Sequence, residues 1–169
     1  MNALPPGAAA VAVALKHFDS LEQEVFLNLW RTYDRLRALE DEVFNEVGIS
    51  PQQYNALRLL RSVHPASMPT LVLGGRLISR APDMTRLLDR LEQRGLLARQ
   101  RRADNRRVVE VSITRSGIEL LDQVHSAVQD CHRRQLGHLD AKSLRQLTKL
   151  LKAARSPHED RGNPSFVDE

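Results

Sequence analysis

The chain has 169 residues, enough for one domain or for a compact domain with an added assembly element. A hydrophobic share of 41% supports a core, aromatic residues at only 4% among many Leu, Ala, Glu and Arg point to a mainly helical build, and the net charge of +4 points to an anionic partner. The single cysteine, Cys131, rules out an intrachain disulfide framework and suits a reducing compartment, and the apolar run at 8–15 is too short for a bilayer and has no basic leader, so a cytoplasmic protein without membrane association is expected.

Residues 1–18 read as an N-terminal arm, kept loose by Pro5-Pro6-Gly7 and carrying a short helix over 8–16. A long helix is expected over 19–47. Asp19 or Ser20 is its cap, and Phe26, Leu29, Tyr33, Leu36, Val43 and Val47 fall at helical spacing, widened by Val25, Trp30, Leu39 and Phe44. So broad an apolar surface suits either a central core helix or a helix that meets a second copy of the chain on one side and the rest of its own domain on the other. Gly48 ends it. Ser50-Pro51-Gln52-Gln53 opens the next helix with a capping box, Tyr54, Leu57 and Leu60 mark its buried face, and His64-Pro65 closes it. A further helix is expected over 68–78, although Gly74-Gly75 inside it costs roughly 2 kcal/mol against alanine.

The most informative stretch is Arg80–Thr114. Pro82 suits a first helical position and Asp83 the positive end behind it, after which Met84, Leu87, Leu88 and Leu91 form one apolar face. Thr85, Arg86, Asp89, Arg90 and Gln93 fall on the opposite face, and Gly95 is the expected stop. A hairpin follows. Residues 96–102 run out, Ala103-Asp104-Asn105 turns, and 106–113 run back with Val109, Val111 and Ile113 alternating with polar residues. Residues 76–107 hold ten arginines, no lysine and four acids, a local charge of +6, so the remainder of the chain sums to −2. Charge concentrated on a helix and a hairpin tip suits double-stranded DNA, the helix in the major groove and the tip at a minor groove or the backbone.

These residues carry a family resemblance. T-R-L-L-D-R-L-E-x-R-G-L at Thr85–Leu96, R-R-x-D-x-R-R at Arg101–Arg107 and V-x-V-S-I-T at Val109–Thr114 resemble the MarR family of winged helix-turn-helix regulators. Thr70–Leu77 departs from that family's acidic-Leu-Ala pattern. The resemblance implies a mainly α fold with a small β-hairpin wing, about six helices, and a winged helix-turn-helix DNA-binding domain over 49–113. Residues 19–48 and 114–155 then form a helical dimerisation region, and 156–169 a flexible tail. Within that region Thr114 caps a helix carrying Ile118, Leu121, Val124, Val128 and Cys131, and Asp140 caps a last helix with Leu144, Leu147, Leu151 and Ala154 on one face and Lys142, Arg145, Lys149 and Lys152 on the other.

For DNA the candidates are Arg86 first, then Thr85, Arg90 and Gln93. Arginine pairs bidentately with guanine and glutamine with adenine, while Arg86 and Arg90 serve equally well as phosphate clamps. Asp89 is better suited to orienting an arginine than to reading a base. The resemblance makes Arg106 the wing-tip arginine of the minor groove, Asp104 the acid that directs it, and Arg107 and Arg101 backbone clamps. Ser50 and Gln53 are either helix caps or phosphate neighbours. The implied partners are a pseudo-palindromic operator, a second copy of the chain, and a small anionic aromatic effector. For the effector, Trp30 and Tyr33 are candidate walls, and Arg58 or Arg86 a carboxylate partner; the alternative is that Trp30 packs at the dimer interface. His125, His132, His138 and Cys131 match no closed zinc spacing, so no metal and no cofactor are expected. Cys131 sits on an apolar stripe as a small hydrophobe would, rather than as a reactive thiol. With no triad and no paired carboxylates in a cleft, an enzyme is not expected. A sequence-specific regulator, a repressor released by its effector, is the leading function, and a non-specific architectural DNA-binding protein the alternative.

Overall fold

The computed structural model describes residues 18–78 and 83–159. The expected short helix at 8–16, Pro82, Arg80 and most of the tail lie outside them. The chain divides into two compact units, 1–38 and 39–169.

Helix α1 (Leu21–Glu46) begins in the first unit and ends in the second. Its start is fixed locally. Ser20 Oγ accepts from the Gln23 N–H at 3.1 Å, and Gln23 Oε1 accepts from the Asp19 N–H at 2.7 Å, so the side chains satisfy amides that a helix start leaves unpaired. In the first unit the apolar stripe is uncovered: Leu21, Val25, Phe26, Leu29, Trp30 and Tyr33 are all exposed, with the Phe26 and Trp30 rings 6.2 Å apart.

In the second unit α1 ends at Gly48, whose φ of +65° is the left-handed conformation glycine adopts freely. The capping box then opens α2 (Pro51–Ser62): Ser50 Oγ accepts from the Gln53 N–H at 3.2 Å, and Gln53 Oε1 accepts from the Ser50 N–H at 2.9 Å. Strand β1 (Met68–Pro69) and helix α3 (Thr70–Arg76) follow. The helix expected over 68–78 is thus shorter at both ends. Met68 is buried and pairs opposite Val111, so tertiary burial draws it into the sheet, and Pro69 is tolerated at the edge of the sheet because its missing N–H faces no partner strand. Thr70 Oγ1 donates to the Val109 carbonyl at 3.0 Å and fastens the strand–helix junction.

Helix α4 (Met84–Gln93), strands β2 (Leu97–Arg101) and β3 (Val109–Ile113), and helices α5 (Arg115–Leu136) and α6 (Ala141–Arg155) complete the order. The antiparallel sheet has the order β1-β3-β2, with Leu97 opposite Ile113 and Arg101 opposite Val109. The wing is therefore three-stranded, one strand more than the expected hairpin. Leu57, Leu60, Leu73, Leu88, Leu91, Leu97 and Val111 are fully buried, so α2, α3, α4 and the sheet share one core. Phe44 at the end of α1 and Tyr54 on α2 pack as tilted rings, their centroids 4.7 Å apart.

Thr114 caps α5 by accepting from the Gly117 N–H at 3.1 Å, and its hydroxyl donates to the Gly95 carbonyl at 2.6 Å. Gly117 is required by proximity: a Cβ there would stand 2.2 Å from the Leu96 carbonyl oxygen. Asp140 caps α6 through the Ser143 N–H at 2.7 Å, which holds the Asp140 carboxyl below the usual carboxylate range. No residue of α6 is buried, and Leu150 and Leu151 are exposed. Ser156–His158 follows α6 as a 3-10 turn, with Arg155 paired to Glu159 at 2.7 Å.

Candidate nucleic-acid interface

Helix α4 is presented by its ends. Asp83, expected just inside the helix start, is its cap, accepting from the Arg86 N–H at 2.9 Å. Leu88 and Leu91 anchor one face in the core, which leaves Thr85, Arg86, Arg90 and Gln93 exposed on the other. Gly95, at φ +68°, turns the chain out of α4 and into the sheet.

The arginines of this module fall into two groups. The first is tied down. Arg99 on β2 bonds Asp89 at 2.6 Å and Glu92 through Nε at 2.9 Å, and its own N–H donates to Glu92 at 3.2 Å. These bonds hold the Glu92 carboxyl below its ordinary range and push the Arg99 guanidinium up. The arginine that Asp89 orients is therefore Arg99, across the element boundary. Arg102 forms a two-point pair with Asp104, at 2.9 and 2.7 Å. Asp104 thus does not direct Arg106: the close of the hairpin, where the Arg102 N–H meets the Val108 carbonyl at 3.1 Å, sets Asp104 beside Arg102 instead. Arg86 contacts its own cap, Asp83, at 2.9 Å, yet its side chain stays 80% exposed.

The second group is unpaired. Arg90, Arg101, Arg106 and Arg107 are exposed, and among the described residues no carboxylate pairs with them. At the tip, Asn105 Oδ1 accepts from the Arg107 N–H at 3.1 Å and shapes the turn that carries Arg106 and Arg107. The structure so brings together Thr85, Arg86, Arg90 and Gln93 on one helix face, and Arg101, Arg106 and Arg107 on the adjoining hairpin. Sequence reading missed Arg99 and Arg102 as the organisers of this surface. The signal available was the acids at Asp89, Glu92 and Asp104, each near several arginines.

The other candidates are placed as follows. Trp30 and Tyr33 stand exposed on α1, and Arg58 stands exposed on α2. The side-chain oxygens of Ser50 and Gln53 cap each other's backbone, the helix-cap role expected of them. Cys131 is buried, and burial, with help from Glu40, pushes its thiol up, away from the reactive thiolate. Among the described residues no three His, Cys, Asp or Glu side chains group as a metal site requires, and no helix is long and apolar enough to cross a membrane.

A short helix, a second helix with an exposed polar face and a basic β-wing on one core define a winged helix-turn-helix, with long flanking helices. The MarR family model matches residues 49–109, from Ile49, one residue before the α2 cap, to the first residue of β3. The crystal structure of a MarR transcription factor from Planctomyces limnophilus is 54% identical, with a TM-score of 0.64, over 81% of this chain and 99% of that one. A cysteine-to-serine mutant of MarR from E. coli, solved in complex with operator DNA, is 26% identical with a TM-score of 0.70, over 80% of this chain and 99% of that one. Among curated relatives, the HTH-type transcriptional repressor MdtR of Bacillus subtilis (strain 168) is 26% identical over 156 residues, 88% of this chain and 99% of the relative. The chain belongs to the MarR family of transcriptional regulators.

Proposed function

We propose that this protein is a homodimeric, sequence-specific DNA-binding repressor that a small-molecule effector releases from its operator. The observation that carries the reading is the unpaired group: Arg90, Arg101, Arg106 and Arg107, with Thr85 and Gln93, are exposed on one helix and one hairpin while the neighbouring arginines are neutralised internally. Free charge on a helix face and an adjoining hairpin suits a groove reader with a flanking backbone clamp. The DNA-bound relative from E. coli and the repressor from Bacillus subtilis support operator binding and repression. Residues 49–113 are the reader.

Residues 19–48 and 114–155 are the dimerisation region. The support is apolar surface that a lone chain leaves in water: Phe26, Trp30 and Tyr33 on α1, and Leu150 and Leu151 on α6. A pair of readers on a two-fold axis meets half-sites one DNA turn apart in a pseudo-palindrome. An effector that binds better to a dimer with altered reader spacing shifts the population off the DNA. An anionic aromatic compound suits this role, with Trp30 and Tyr33 as candidate aromatic contacts and Arg58 as a candidate carboxylate partner. Such regulators act in the cytoplasm.

Footprinting on the DNA flanking the gene, with bulk DNA as competitor, tests the reading. A regulator prefers its own site by about a thousandfold or more. A protected site that vanishes under a tenfold excess of bulk DNA would favour the non-specific architectural alternative. Adding phenolic acids to the same lanes and following Trp30 fluorescence tests the effector step, and protection unchanged by every one of them would remove it.

A further inference from the structure

Arg94 belongs to neither group of arginines. It is the C-terminal cap residue of α4, and its guanidinium reaches across the fold to the carboxyl end of α1, donating through Nη2 to the Val47 carbonyl at 3.0 Å and through Nη1 to the Gly48 carbonyl. Those two carbonyls lie just past the end of a helix whose last turn contains no basic residue. Backbone dipoles leave partial negative charge at such an end, so a cation there is favourable, and here it is supplied from 46 residues away in the chain. Gly48 sits at φ +65°, where a side chain is strained, although a Cβ there would meet Arg94 Nη1 only in ordinary van der Waals contact at 3.6 Å. The planar fork of arginine meets two acceptors at once, which fixes direction as well as distance.

We infer that Arg94 is a positioning residue of the reader: by locking the end of α4 to the end of α1, it sets the half-site spacing that the protein accepts. The inference rests on the proposed dimer. α1 belongs to the proposed dimerisation region, so the bond between its end and α4 links that region to the reading helix. Without the joint, each reader still recognises its half-site, but the distance between the two is no longer held.

The experiment compares wild type, R94A and R94K on duplexes carrying the footprinted half-sites at their natural separation and with one base pair inserted or deleted. A duplex with a single half-site and a salt titration complete the set. Wild type discriminates against altered spacing by about tenfold or more, because the duplex must be deformed to fit. R94A loses most of that discrimination while its single half-site affinity and its salt slope stay as in wild type. R94K, which keeps the charge but offers no fork, falls between them. Wild-type spacing discrimination in both variants overturns the inference, and so does a salt slope lowered by about one unit, which would make Arg94 a phosphate contact. Should R94A fail to fold, R94K alone decides. Wild type that itself ignores spacing removes the dimer reading together with the inference, an outcome distinct from loss of the inference alone.

Discussion

Arg106 and Arg102 are four residues apart on the same hairpin, yet their situations are opposite. Arg102 is held by Asp104, and Arg106 has no carboxylate partner among the described residues. Only an unpaired guanidinium releases counterions when it meets phosphate or enters a minor groove, so Arg106→Ala lowers the slope of log affinity against log salt by about one unit. Nitrocellulose filter binding over a salt series measures it, and an unaltered slope would deny Arg106 the role. Gly117 makes a second prediction at this scale. A methyl group at 2.2 Å from the Leu96 carbonyl oxygen forces the start of α5 away from the wing. Gly117→Ala therefore lowers stability by about 1–3 kcal/mol, as overpacking does, seen as a lower urea midpoint with the slope unchanged. The pairing of Glu92 gives a pH dependence. Its carboxyl lies below the usual range because Arg99 stabilises the charged form. A depressed carboxylate contributes stability that is present above its unfolded value and is lost as the pH falls through its folded value. Wild type therefore loses stability more steeply than Glu92→Gln below about pH 4.5, and parallel denaturation curves for the two proteins would contradict this.

Among the elements, those whose ends are decided by near neighbours were readable from the chain. The capping box of Ser50 and Gln53, the caps Thr114 and Asp140, and the left-handed glycines Gly48 and Gly95 all act within a few residues of themselves. Removing one such cap has a known scale: Ser50→Ala costs about 1 kcal/mol, and thermal unfolding of the variant should show it. What the chain did not disclose depends on distant partners. Strand β1 is two residues long, contains a proline, and exists because β3 lies beside it, more than forty positions later. The early start expected for α3 failed for that reason. The Asp104 pairing was misassigned because the tip of a tight hairpin decides which flanking arginine the acid meets. The Arg99 clamp was half legible: Asp89 called for an arginine, but only the packing of β2 beside α4 selects which one. The bond from Arg94 to two carbonyls leaves no trace in residue type at all.

For the whole molecule, the exposed apolar residues on α1 and α6 set an expectation that a single protomer does not meet. Leu150 is 59% exposed, so a charge placed there leaves the isolated fold intact. In a dimer that buries it, Leu150→Glu shifts the population toward monomer, and sedimentation velocity should show this while the circular dichroism spectrum is retained. A second whole-molecule property follows from the internal acids. Binding to arbitrary sequence is nearly all electrostatic, so every free arginine lengthens the time spent on irrelevant genomic DNA. By keeping Arg99 and Arg102 occupied, Asp89, Glu92 and Asp104 cap the adhesive charge that the module carries. On the proposed reading, those three carboxylates would then shorten the search along genomic DNA, while the arginines left free supply the final grip.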